Sequence, residues 1–111
     1  MVLAFLADVA QIDGRATVRL EGELDVATAD DLLAAGKQAL DRPDTGPLVL
    51  DMSALSFCDS TGLRALLKLN HNALMRGRTV LLRGVQPQVR RAIEITGFDA
   101  VLRVEPASLR A

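Results

Sequence analysis

The stretch that most constrains this chain runs from Leu48 to Arg64: Leu-Val-Leu-Asp-Met-Ser-Ala-Leu-Ser-Phe-Cys-Asp-Ser-Thr-Gly-Leu-Arg. It opens as a strand. Leu48, Val49 and Leu50 are apolar without a break, the pattern of a strand covered on both faces in a parallel sheet. It closes as a helix, with Leu63, Leu66, Leu67 and Leu74 recurring at helical spacing. Between them lies a turn, Phe57 to Gly62, carrying three side chains of the N-cap type: Asp59, Ser60 and Thr61. A hydroxyl beside the unpaired N–H groups of a helix start suits a negative charge, phosphate in particular. Ser60 is therefore the expected switch position.

The rest of the chain alternates in the same way. Residues 3–11 are apolar and predict a first strand. Asp13-Gly14 is a hairpin signal between apolar stretches. Ala16 to Leu20 alternates and returns antiparallel, and Glu21 to Asp25 closes that strand into a loop. Thr28 is placed as an N-cap for a helix over Ala29–Leu40, with Asp30 and Asp31 in its first turn. Gly36 within it marks a close approach to the sheet. Residues 41–47 form a loop. After the Ser60 turn a helix runs to about Arg76, stopped by Gly77 at C′. Thr79–Leu82 is a short strand. A helix over Pro87–Thr96 turns Val89, Ala92, Ile93 and Ile95 inward, and ends on Gly97 with an Ile93–Phe98 contact. A last strand covers 101–104. The order β-β-α-β-α-β-α-β implies a mixed, mostly parallel α/β sheet of four to five strands with right-handed crossovers.

At 111 residues the chain is one domain, 1–111, with a core over about 3–105 and a loose tail at 106–111. Half the residues are apolar and the net charge is −1, with arginines scattered, so nucleic acid is not an expected partner. Three Phe with no Trp or Tyr give no stacking platform for bases or sugars. A single Cys makes no internal disulfide. The apolar N-terminus lacks a basic n-region and is interrupted by Asp8, so it reads as lead-in to a strand rather than a signal peptide. No run reaches transmembrane length. The expectation is a soluble cytoplasmic protein, monomer or weak dimer, without membrane insertion.

Catalytic constellations are missing from the pattern. Cys58 and His71 are about three helical turns apart, too far to act as a pair. Cys58 reads as a small buried hydrophobe and His71 as a boundary residue on a helix flank. There is no Walker loop and no Gly-x-Ser-x-Gly elbow, and Cys and His are too few for a metal site. Asp51 ends a buried strand as a phosphate-accepting aspartate would, but Lys37 and Lys68 are the only lysines and neither stands late in the chain. No enzyme activity, cofactor or metal is expected. For Ser60 the residues alone favour a plain helix cap. The other reading is a phosphate acceptor, with the Gly62 and Leu63 N–H groups steadying the added charge, Asp59 and Asp25 making the patch acidic, and Gly62 admitting a partner's backbone.

Three elements in order, Gly22-Glu23-Leu24-Asp25, Val49 to Leu63, and Ile95-Thr96-Gly97-Phe98, resemble the STAS domain of bacterial anti-sigma factor antagonists. The likeness spans nearly the whole chain. It implies a non-catalytic regulator whose unphosphorylated form binds an anti-sigma factor and frees the sigma factor it holds. The anti-sigma factor is typically also a serine kinase that inactivates the antagonist, and a PP2C-type phosphatase reverses this. The modified residue of the motif corresponds to Ser60, with Asp25 near it. The resemblance thus puts phosphorylation of Ser60 ahead of the plain cap. Asp25, Asp59, Ser60, Thr61, Gly62, Leu63 and Arg64 form the expected partner surface. Arg64 departs from the small residue common at its position, adding bulk and charge one turn from Ser60. The alternative is a STAS accessory or scaffold subunit, in a lipid-transport complex or signalling assembly, with Ser60 unmodified.

Overall fold

The Asp13-Gly14 pair forms the hairpin that its chemistry demands. Both residues have positive φ, 53° and 78°, so the two-residue loop twists with the strands it joins. A computed structural model describes residues 5–43 and 46–106. Within it β1 (Leu6–Ile12) pairs antiparallel with β2 (Arg15–Leu24), from Leu6 opposite Glu21 to Ile12 opposite Arg15. The elements that follow are α1 (Ala29–Leu40), β3 (Leu48–Cys58), α2 (Ser60–Leu74), β4 (Val80–Arg83), α3 (Pro87–Thr96), a 3-10 turn at Phe98–Ala100, and β5 (Arg103–Val104). The five strands form one sheet in chain order, parallel from β2 to β5. The fold class and element order are those the sequence predicts.

Burial explains the sheet. Ala16, Val18 and Leu20 of β2, Leu48 and Leu50 of β3, and Val80 and Leu82 of β4 point to one face and are buried under the helices. Val49 is also buried, as a two-sided strand requires. Leu32, Ala35 and Ala39 of α1 and Leu63, Leu66, Leu69 and Ala73 of α2 complete the core.

Several boundaries differ from expectation. β3 runs on to Cys58 rather than turning at Phe57, and β2 runs through Glu21–Leu24. Two register shifts accompany this: Arg19 faces Asp51 but Glu21 faces Ala54, and Gly22 faces Leu55 but Glu23 faces Phe57. Each inserts one extra residue on the β3 side. Buried positions there fall three apart, at Met52, Leu55 and Cys58, and the two-residue alternation that signals a strand is lost. Gly36 makes its close approach to α2, not to the sheet: a Cβ there would run into the Leu69 side chain. Leu74 and Ile95 are 54% and 74% exposed, so neither belongs to an inner face. β5 is shorter than expected, and Val101 is exposed.

Helix ends follow their local chemistry. Gly77 (φ +70°) donates to Leu74 O, and Arg78 N donates to Ala73 O, the two bonds of a Schellman stop. Gly97 (φ +76°) ends α3, donating to Glu94 O at 3.1 Å. Residues 3–4 of the expected first strand and 107–111 of the expected tail lie outside the described residues.

Candidate functional site

Parallel strands bring their C-terminal ends to one edge of the sheet, and the loops there converge. Leu24 ends β2 opposite Cys58, which ends β3, and Asp59 N donates to Leu24 O at 3.2 Å. That bond holds the Asp25 loop beside the start of α2. The Asp25 loop is itself tightly tied. Asp25 N donates to Thr28 Oγ1 at 2.9 Å, Thr28 Oγ1 donates to Glu23 O at 2.9 Å, and Ala27 N donates to Asp25 Oδ1 at 2.9 Å. Thr28 does occupy the N-cap position of α1, but its hydroxyl turns back into this loop and makes no capping bond.

At the head of α2 the cap is Asp59. Its backbone is extended (φ −92°, ψ −173°), and its Oδ1 accepts from Gly62 N at 2.8 Å. Its carbonyl accepts from Leu63 N at 2.9 Å. This corrects two expectations. Ser60 is not the cap, and the Gly62 and Leu63 N–H groups are already engaged. Ser60 is the first helical residue, exposed, with no protein hydrogen bond to its hydroxyl among the described residues. The N–H groups of Ser60 and Thr61 are the ones left open. Thr61 is half-buried and Arg64 exposed. Ser60 and Arg64 are four residues apart and share a helix face.

Gly62 and Leu63 serve the interior. A Cβ on Gly62 would meet Leu24 O at 2.6 Å and Cys58 Sγ and Leu24 Cγ at 2.9 Å, so the glycine lets α2 press onto β2 and β3. It therefore admits no partner backbone, and Leu63 is buried. Cys58 is buried as expected. Burial, with the neighbouring Asp59 charge second, pushes its thiol up to about 12 from an ordinary 9.0, so it stays protonated and unreactive. His71 is exposed.

Two residues beside the serine escaped the sequence reading. Val26, next to Asp25, is 77% exposed, and Phe57, two before Asp59, is 45% exposed. Each presents apolar surface on a segment that adjoins the head of α2, and exposed apolar side chains among polar ones are the mixture an interface centre uses. An apolar residue inside the acidic Asp25 loop was the available signal for Val26. Phe57 carried none, because its strand register was not legible. Among the described residues no cluster of His, Cys, Asp and Glu could hold a metal ion, and no helix is long and apolar enough to cross a membrane.

Comparison with known proteins places the fold within a family. The family model described as Mlab, STAS domain, matches residues 7–104. An anti-sigma F factor antagonist of Paenibacillus polymyxa is 30% identical over 87 residues, covering 78% of this chain and 74% of that protein. The crystal structure of an anti-sigma factor antagonist from Mycobacterium paratuberculosis superposes with a TM-score of 0.80 at 29% identity, over 94% of this chain and 87% of the other. A sulfate transporter family protein from Wolinella succinogenes superposes with a TM-score of 0.66 at 26% identity, over 79% and 73%.

Proposed function

The chain belongs to the STAS domain family, and on that premise we propose that it is an anti-sigma factor antagonist switched by phosphorylation of Ser60. It acts by binding and not by catalysis, in the cytoplasm. Its partners are an anti-sigma factor with serine kinase activity and a PP2C-type phosphatase. The observation that carries the reading is the division of labour at the head of α2. Asp59 does the capping, so the Ser60 hydroxyl is exposed and accepts or donates no hydrogen bond among the described residues.

Unphosphorylated, the patch offers that hydroxyl together with the exposed apolar side chains of Val26 and Phe57 on the adjoining segments and with Thr61, Asp25, Asp59 and Arg64. A partner that accepts the neutral hydroxyl buries this patch. Phosphate adds about −1.5 to −2 charges beside the Asp59 carboxylate. The open Ser60 and Thr61 N–H groups and Arg64 steady it locally, and the fold is undisturbed. A docked partner, by contrast, would have to bury an added dianion next to existing carboxylates, and binding is lost. Gly62 and Leu63 set the position of the hydroxyl without touching the partner.

The test is phosphorylation by the cognate kinase with ATP. Wild type takes up phosphate and Ser60→Ala does not. Ser60→Asp weakens binding to the anti-sigma factor by about tenfold or more, with stability unchanged. Equal labelling of wild type and Ser60→Ala would remove the site. The accessory-subunit reading is less supported, although a transporter-family protein shares the fold. It gains ground only if the cognate kinase leaves Ser60 unmodified and no anti-sigma factor binds.

A further inference from the structure

A second surface lies away from Ser60, toward the C-terminal halves of the two long helices. α1 and α2 start at the same edge of the sheet and run side by side, pressed together where Gly36 admits Leu69. Beyond that contact they leave an open groove of about 480 Å³, with an apolar floor that includes Leu33, Leu40 and Met75. Met75 is 74% exposed. An unbranched thioether held out in solvent beside an apolar floor adapts readily to a partner's side chains.

The rim of the groove is cationic. The chain is net −1, yet both of its lysines, Lys37 and Lys68, line this one groove, together with Arg76. Part of that charge has an internal explanation. Asp41 accepts from Lys37 Nζ at 2.9 Å and from Arg76 at 2.7 Å, and these two bonds, that of Lys37 foremost, hold its carboxyl below the usual carboxylate range. Lys68 has no such explanation. It stands within α2 with Arg64 and Asn72 at the helical neighbour positions, and no carboxylate pairs with it among the described residues. Lys37 and Arg76 share the single Asp41 carboxylate and Lys68 pairs with none among the described residues, so the lining carries an excess of positive charge beside its apolar residues.

We propose that this groove docks an acidic amphipathic helix of a partner protein, laid between α1 and α2 as a third helix. Its apolar ridge packs on the apolar lining, and its flanking carboxylates meet Lys68 of α2 on one side and Lys37 of α1 on the other, with Arg76 just past the end of α2. The open furrow between two helices favours a helix over a small enclosed ligand. The surface is separate from the Ser60 patch, so one partner is held while the other is switched, and this inference stands whether or not Ser60 is phosphorylated.

The probe is a stapled synthetic helix with leucines along one ridge and glutamates on both flanks, titrated into the whole protein by calorimetry and amide chemical-shift mapping. Saturable binding is expected, with shifts confined to α1 and α2 around Lys37, Lys68 and Met75. Lys68→Glu lowers affinity by about tenfold. Ala34→Trp, which fills the groove from an exposed position and leaves every charge in place, abolishes binding. Ser60→Asp leaves it unchanged. The proposal is overturned by a flat titration, by equal binding of a peptide whose glutamates are replaced by lysines, or by binding that survives Ala34→Trp. It is also overturned if vesicles rich in anionic phospholipid shift the groove amides while the peptide does not.

Discussion

At the head of α2 the Asp59 carboxylate holds the Gly62 N–H at 2.8 Å, while the next side chain, Ser60, holds nothing among the described residues. This division is measurable. Asp59→Ala should cost about 1 kcal/mol, the usual worth of a cap, and Ser60→Ala should stay within about 0.5 kcal/mol of wild type. Urea unfolding of the two variants checks both. A Ser60→Ala loss equal to that of Asp59→Ala would return the hydroxyl to a capping role and weaken the case for a switch. Three cap-type side chains stand in a row here, and their chemistry does not rank them. The choice falls to Asp59 because the last sheet bond, Asp59 N to Leu24 O, fixes where extended backbone ends and helix begins. Thr28 shows the same dependence. It has the right chemistry for a cap, but Glu23 O and Asp25 claim its hydroxyl.

Among the elements, helices were far more legible than strands. The limits of α1 and α3 match the sequence expectation, and in α3 the first-turn proline and the stop glycine are local signals. β3 was read short because its two extra residues opposite β2 change the burial step from two to three. The pairing of α1 with α2 was also misassigned, since Gly36 announces a close neighbour without saying which. The structure names Leu69. Gly36→Val would force branched carbons into the buried Leu69 methyls, and a loss of about 1–3 kcal/mol is expected. Thermal or urea unfolding measures it. A neutral outcome would mean that Leu69 has room to turn away and that the helices are not locked at this point.

Across the whole molecule, the face of the sheet turned away from α1 and α2 carries a single row of alternating charge. Asp8 faces Arg19, Arg19 faces Asp51, and Asp51 faces Arg83, one residue from each of four strands. Glu105, just past β5, continues the row with a 3.1 Å ion pair to Arg83. Arg19 and Asp51 stand 3.8 Å apart. Arg19→Glu would set three acids side by side. Since like charges opposite one another destabilise a sheet, about 1 kcal/mol should be lost at low salt and part of it recovered at high salt. Urea midpoints at the two salt concentrations check this, and a loss indifferent to salt would show that Arg19 acts through packing. The row could not be read in advance, because it is assembled from residues tens of positions apart whose registers the pairing sets. The sequence by itself determined the kind and order of the elements, the hairpin and the limits of α1 and α3, because short-range sterics and periodicity act within a few residues. Only the tertiary structure decided which side chain caps α2, that Gly62 faces inward, that Val26 and Phe57 are exposed, and that both lysines line one groove. Those facts depend on strand register and helix packing between distant segments, and no local pattern encodes them.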